Sequence, residues 1–95
     1  MWFYPEDPTP REQCPCCDYV TLPERGASLI CLICYWEDDG QDVGKLDDVS
    51  GPNHIPLRKA RVNFMTLGVC DSIFKGNVLA AKERSQFEYH PRNID

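Results

Sequence analysis

Residues 14–36 read CPCCDYVTLPERGASLICLICYW, and this stretch decides the fold. Cys14 and Cys17 form one C-x-x-C, and Cys31 and Cys34 form a second after a gap of thirteen residues. A tetrahedral metal with soft ligands needs four thiolates, each about 2.3 Å away. A C-x-x-C turn places two sulfurs on one side with backbone N–H groups aimed at them, so two such turns complete a tetrahedron. Pro15 fixes φ near about −65° at the second position of the first turn. Between the pairs, 18–22 and 27–31 carry β-branched, aromatic and aliphatic residues, and Pro23-Glu24-Arg25-Gly26 is a turn signal. The expectation is a hairpin of 18–22 against 27–31 that brings both cysteine turns together around a structural Zn²⁺, with Cys14, Cys17, Cys31 and Cys34 as ligands. Iron fits the same donor set.

Only one of Cys16 and Cys17 can keep the spacing to Cys14, so Cys16 is expected to point away from the metal as a buried small side chain or a partly exposed thiol. Cys70 reads as a packed thiol. Cys14-Pro15-Cys16-Cys17 also has the look of a glutaredoxin-type C-P-x-C site. That chemistry needs a helix N-terminus after a strand to depress the thiol pKa, and no βαβ pattern surrounds the motif here.

Working outward, residues 1–13 read as an extended arm, with Pro5, Pro8 and Pro10 following Trp2, Phe3 and Tyr4, three aromatics expected to pack back onto the domain. Residues 37–53 read as an acidic loop containing Gly40, Gly44, Gly51 and Pro52. Leu57, Ala60, Phe64 and Leu67 fall on one stripe at helical period, which predicts a helix over 56–67. Pro56 suits its first position and Gly68 the position past its end. Arg58, Lys59 and Arg61 are placed on its exposed side. A second helix is expected over 78–89, stopped by Pro91. The architecture expected is α+β: a zinc-ribbon-like hairpin or small antiparallel sheet, with a third strand, against one or two C-terminal helices.

The chain has 95 residues, enough for a single domain over 1–95. A domain of this size buries only about 60–65 % of its unfolded surface, so a metal staple is a natural supplement to the core. The N-terminus lacks the basic and apolar regions of a secretory signal, which places the chain in a reducing cytoplasm, where paired cysteines hold metals more often than disulfides. No apolar run approaches the length of a membrane span. The net charge of −5 is concentrated: residues 37–48 alone carry six acidic side chains and one lysine. Such a surface repels nucleic-acid backbone and attracts basic partners, although residues 49–95 sum to +3 and leave a local nucleic-acid site open.

Cys14-Pro15-Cys16-Cys17, Tyr19, Thr21-Leu22, Arg25-Gly26, Ile30-Cys31, Cys34, Trp36-Glu37-Asp38-Asp39-Gly40, Asp42, Ser50-Gly51-Pro52-Asn53, Leu57, Ala60-Arg61 and Asn63-Phe64 resemble the bacterial cysteine-rich CPCC family over about residues 14–68. The chain departs from it with Asp18, where a glycine often follows the motif, and with Leu32, where proline is common. Asp tolerates left-handed backbone better than most residues. The resemblance implies a small zinc-ribbon-like fold and no particular activity. Residues 69–95 fall outside it and read as a variable extension.

Clustered carboxylates raise the question of Mg²⁺ or Ca²⁺, but a calcium loop started at Asp39 puts Gln41 and Val43 where ligands are needed. The acidic segment reads either as a solvated loop, with carboxylates capping N–H groups or pairing with Arg58, Lys59 or Arg61, or as a docking surface. In the second reading Trp36, Glu37, Asp38, Asp39 and Asp42 meet a basic protein partner, and the chain acts as a non-enzymatic inhibitor or immunity-type module. Trp36 also reads as a wedge over the metal turn. His54 and His90 are not needed by a four-thiolate site. A nucleic-acid-binding ribbon is the alternative function, and a thiol redox or metal-dependent enzyme the second alternative.

Overall fold

Each C-x-x-C turn closes a hairpin of its own in the computed structural model, which describes residues 11–92. Strand β1 (Glu12–Gln13) pairs antiparallel with β2 (Val20–Leu22), Glu12 opposite Leu22 and Gln13 opposite Val20. Strand β3 (Leu29–Ile30) pairs antiparallel with β4 (Glu37–Asp38), Leu29 opposite Asp38 and Ile30 opposite Glu37. The expected pairing of 18–22 with 27–31 is therefore replaced by two hairpins. The cause is local. The Cys14 N–H donates to the Tyr19 carbonyl at 2.8 Å and the Cys31 N–H to the Trp36 carbonyl at 2.9 Å, so each cysteine turn folds its own flanks together. Between β2 and β3, Gly26 (φ +74°) and Ser28 (φ +60°) adopt left-handed backbone that a ladder cannot cross. The aromatic run Trp2, Phe3 and Tyr4, and with it most of the expected arm, lies outside the described residues.

Helix α1 (Leu57–Leu67) forms where the apolar stripe placed it and buries Leu57, Ala60 and Phe64. Leu67, the last of the stripe, is 39 % exposed. Pro56 takes the cap position rather than the first turn, with extended backbone. Gly68 ends the helix at φ +82°, its N–H donating to the Phe64 carbonyl. A Cβ on Gly68 would stand 2.8 Å from the Arg84 guanidinium, which donates to the Gly68 carbonyl and lies over the Phe64 ring. Glycine takes this angle without strain and leaves that guanidinium where it is.

The second helix expected over 78–89 is a short 3₁₀ turn, Ala81–Gln86. Past it, Phe87 is extended (φ −108°, ψ 149°) and the chain runs alongside the first hairpin, which it meets at an isolated bridge and not as the expected third strand. There the Val20 N–H donates to the Glu88 carbonyl, the His90 N–H donates to the Asp18 carbonyl, and Tyr89 bridges Tyr19. The Tyr19 and Tyr89 rings stack at 4.4 Å, and Tyr19 meets Phe64 edge-on at 6.3 Å. Val69, Cys70 and Phe87 are buried, so the C-terminal residues belong to the same packed unit. The result is a small α+β fold, two hairpins and one α-helix around Trp36, Leu22, Ile33, Leu57 and six cysteines. Among the described residues no helix is long and apolar enough to cross a membrane.

Candidate metal centre

The two cysteine turns are built alike. Asp18 N–H donates to the Cys14 carbonyl and Tyr35 N–H to the Cys31 carbonyl, both at 3.0 Å. The residue after each second cysteine is left-handed, Asp18 at φ +67° and Tyr35 at φ +69°. Asp suits that conformation and tyrosine does not; Tyr35 is held there with its ring against Phe74, centroids 4.4 Å apart.

The turns face each other, and the sulfurs of Cys14, Cys17, Cys31 and Cys34 all lie within 4.8 Å of one another. Cys14 Sγ is 3.6 Å from Cys34 Sγ, and Cys17 Sγ is 3.7 Å from Cys31 Sγ. A tetrahedron with metal–sulfur bonds of about 2.3 Å has edges of about 3.8 Å, so the four sulfurs are spaced for one such ion. None of the six cysteines is in a disulfide. The four-cysteine cluster could hold a metal ion, and its donors fit a soft, tetrahedral one. Two further groups orient Cys31: the Thr21 hydroxyl at 3.1 Å and the Ile33 N–H at 3.4 Å from its sulfur. Contacts of this kind to metal-bound sulfur fix its direction and charge.

The ionisation of the thiols follows from their burial. Burial pushes Cys14 up to about 11, and burial together with the neighbouring thiols pushes Cys17 and Cys34 well up. Burial opposes ionisation at Cys31 too, but bonds from Cys14, Cys17, Cys34 and Thr21 outweigh it and hold that thiol well below its ordinary range. Metal binding must expel the protons of the thiols that burial holds un-ionised, so it releases protons and apparent affinity must rise with pH. Calorimetric zinc titration of apo-protein, repeated in buffers of different ionisation enthalpy, is expected to show that release. Release near zero would mean the thiolates are already formed.

The sequence model of the cysteine-rich CPCC family matches residues 12–85. The chain belongs to the cysteine-rich CPCC family. Neither a curated protein nor a solved structure matches it. The CPCC match runs past residue 68, where the resemblance read from the sequence stopped, and takes in the segments that pack beneath the second turn. There the Cys70 N–H donates to the Cys34 carbonyl and the Leu79 N–H to the Leu32 carbonyl.

The CPCC acidic segment divides into buried and exposed parts. Trp36 and Asp38 are fully buried, which withdraws both from the expected docking surface. Trp36 is instead a core residue. Asp38 accepts from Arg25 Nε and the Gly26 N–H at 2.8 Å, and from the Gly40 N–H at 3.1 Å. Asp42 accepts from Arg25 at 2.7 Å and caps the Val43 N–H. Asp47 pairs with Arg58 at 2.7 Å. Asp39 is exposed and Glu37 half-buried, with its backbone gripped at both ends by the Asn53 side chain. The Trp-Glu-Asp-Asp-Gly and Ser-Gly-Pro-Asn motifs are thus largely structural: Asn53 stands beside β4 like a missing strand.

The sequence reading did not assign roles to Asp18 and Arg61 at this centre. Asp18, next to the ligand Cys17 and 4 % exposed, accepts both Nη1 (2.8 Å) and Nη2 (2.9 Å) of Arg61. It also accepts the backbone N–H, Nε and Nη2 of Arg92 at 2.7–2.9 Å. Arg61 Nη1 donates in addition to the Pro15 carbonyl. Arg61, expected on the exposed side of the helix, is turned inward onto the first cysteine turn. The signal available in the sequence was an acidic residue at the left-handed position where a glycine would serve.

Proposed function

We propose that the protein is a small zinc-binding, non-enzymatic interaction module of the cytoplasm. The observation that carries this reading is the closed cage. Four buried thiols occupy all corners of one tetrahedron, and a zinc held that way keeps no position for water or substrate. Such an ion contributes folding energy in place of catalysis.

The surface we assign to a basic protein partner is what remains of the acidic segment after Trp36 and Asp38 are withdrawn by burial, and Asp42 and Asp47 by their pairing with Arg25 and Arg58: Glu37, Asp39 and Asp48, beside exposed Val43 and Val49. Opposite charge there favours fast, salt-sensitive association, and an inhibitor or immunity-type role is one form this takes. The nucleic-acid alternative loses support because Arg61 is turned inward and Arg58 pairs with Asp47. The test is quantitative affinity capture with wild type and with the triple variant Glu37→Gln, Asp39→Asn, Asp48→Asn. Basic partners held by the wild type, and released by salt, are expected to be lost from the variant. An unchanged set of partners removes the acidic surface from the account.

A further inference from the structure

Two surfaces of opposite character border each other on this molecule. The first is a cleft of about 280 Å³ between α1 and the extended segment after Phe87. Leu46 and Phe64 line it together with Val62, Met65 and Tyr89, which are 54 %, 75 % and 43 % exposed. Arg58, Val62 and Met65 follow one another at i, i+4 and i+7 along one side of α1. Three guanidinium groups, those of Arg58, Arg61 and Arg92, stand in the walls with a single carboxylate, Asp18. The second surface is a depression lined by Asp39, Asp48 and Val49, and by Lys45. Asp39 and Asp48 are exposed, and neither has an ion pair among the described residues. The surfaces adjoin, since Leu46 lines the first and Asp48 the second. At their border the acidic loop already reaches the cations of the cleft: Asp47 bonds Arg58 at 2.7 Å, and Asp42 lies 3.4 Å from Arg92.

We infer that the protein forms a two-fold dimer in which the acidic loop of each copy, with Asp39, Asp48 and Val49, lies in the arginine-rimmed apolar cleft of the other. The inference rests on the reading of the acidic segment as a docking surface, and it names the partner as a second copy of this chain. A chain of net charge −5 repels its own copies in most orientations. The orientation that sets Asp39 and Asp48 against Arg58, whose side chain is 47 % exposed, turns that repulsion into attraction. Val49 then covers Val62 and Met65, so apolar side chains that the monomer leaves in water are buried on both copies. Because the two surfaces adjoin, one two-fold axis near Asp47 brings each to its complement at once. The assembly therefore closes at two copies instead of growing head to tail.

The test is sedimentation equilibrium of the zinc-loaded wild type at rising concentration and low salt, with amide chemical shifts followed on dilution. The mass is expected to climb from one chain toward two and to fall back in high salt. The shifts that move are expected at 46–49 and at Arg58, Val62 and Met65. A wild type that stays monomeric overturns the inference, as does a dimer whose moving shifts lie elsewhere. Charge reversals on exposed side chains then separate pairing from folding: Asp39→Lys with Asp48→Lys in one variant, Arg58→Glu in another. Each alone is expected to weaken the dimer by about tenfold or more. An equal mixture of the two is expected to restore it, because the reversed loop then meets the reversed cleft. A mixture that stays monomeric, while both variants keep the wild-type near-ultraviolet circular dichroism, overturns the pairing. A monomeric wild type that still holds basic partners through Glu37, Asp39 and Asp48 in the capture experiment loses only the dimer. One whose captured partners are the same with the triple variant fails at the docking surface itself.

Discussion

Replacing Cys31 with serine is expected to leave the chain unfolded at 25 °C. Cys31 is the best-supported sulfur of the cage, with Thr21 and the Ile33 N–H directed at it. Apparent zinc-binding energies in small zinc peptides are about 10–16 kcal/mol, and in such domains much of that is folding energy. A domain of this size has a total stability of about 5–15 kcal/mol at most, and its strands are only two or three residues long. The four-cysteine cage joins the two hairpins, which otherwise meet only through the small core around Leu22, Ile33 and Trp36. Near-ultraviolet circular dichroism and zinc stoichiometry check this. The wild type should show fixed aromatic packing and one zinc, and Cys31→Ser neither. A folded Cys31→Ser with the wild-type thermal midpoint would mean that the core alone carries the fold.

The second large effect is expected at Asp18. Asn keeps the size and the tolerance for left-handed backbone, so Asp18→Asn removes little but the charge. Arg61 and Arg92 then face each other across a neutral amide, on a side chain only 5 % exposed. Breaking a buried pair in this way costs about 3–5 kcal/mol, read as a shift of the urea midpoint. A loss under about 1 kcal/mol, the range of solvent-exposed pairs, would show that the network is screened. The same group sets an acid limit. Burial works against its ionisation, yet Arg61 and Arg92 outweigh that and hold the carboxyl below its ordinary value. Its contribution is therefore complete above the unfolded carboxylate pKa of about 3.9 and is lost as pH falls through the lower folded value. Loss of structure near neutral pH would have to come from protonation of the metal ligands instead.

What was legible in the sequence was short-range. The paired C-x-x-C spacing, the left-handed Asp18, the helix stripe of Leu57, Ala60 and Phe64, and the Gly68 stop all depend on neighbours within a few residues. The pairing of strands did not follow, because propensity marks 18–22 and 27–31 as extended without saying which segment each meets. That choice belongs to the Cys14–Tyr19 and Cys31–Trp36 backbone bonds, which turn each cysteine pair into a hairpin. The charges were misread for a related reason. Asp38 and Arg61 look exposed in a polar run, but Asp38 is met by Arg25 from thirteen residues away and Arg61 by Asp18 from forty-three. The extended segment after Phe87 was read as helix because its bonds to Asp18 and Val20 span most of the chain.

The central claim, a closed cage of four cysteines around one structural zinc, is tested most directly by native against denaturing mass spectrometry. The protein should be purified without chelator and without exposure to oxidant. The native protein is expected to carry one zinc, lost on denaturation, with all six thiols then open to alkylation. A metal-free native mass, with the denatured chain lighter by paired hydrogens, would contradict it and make the cysteines disulfide partners.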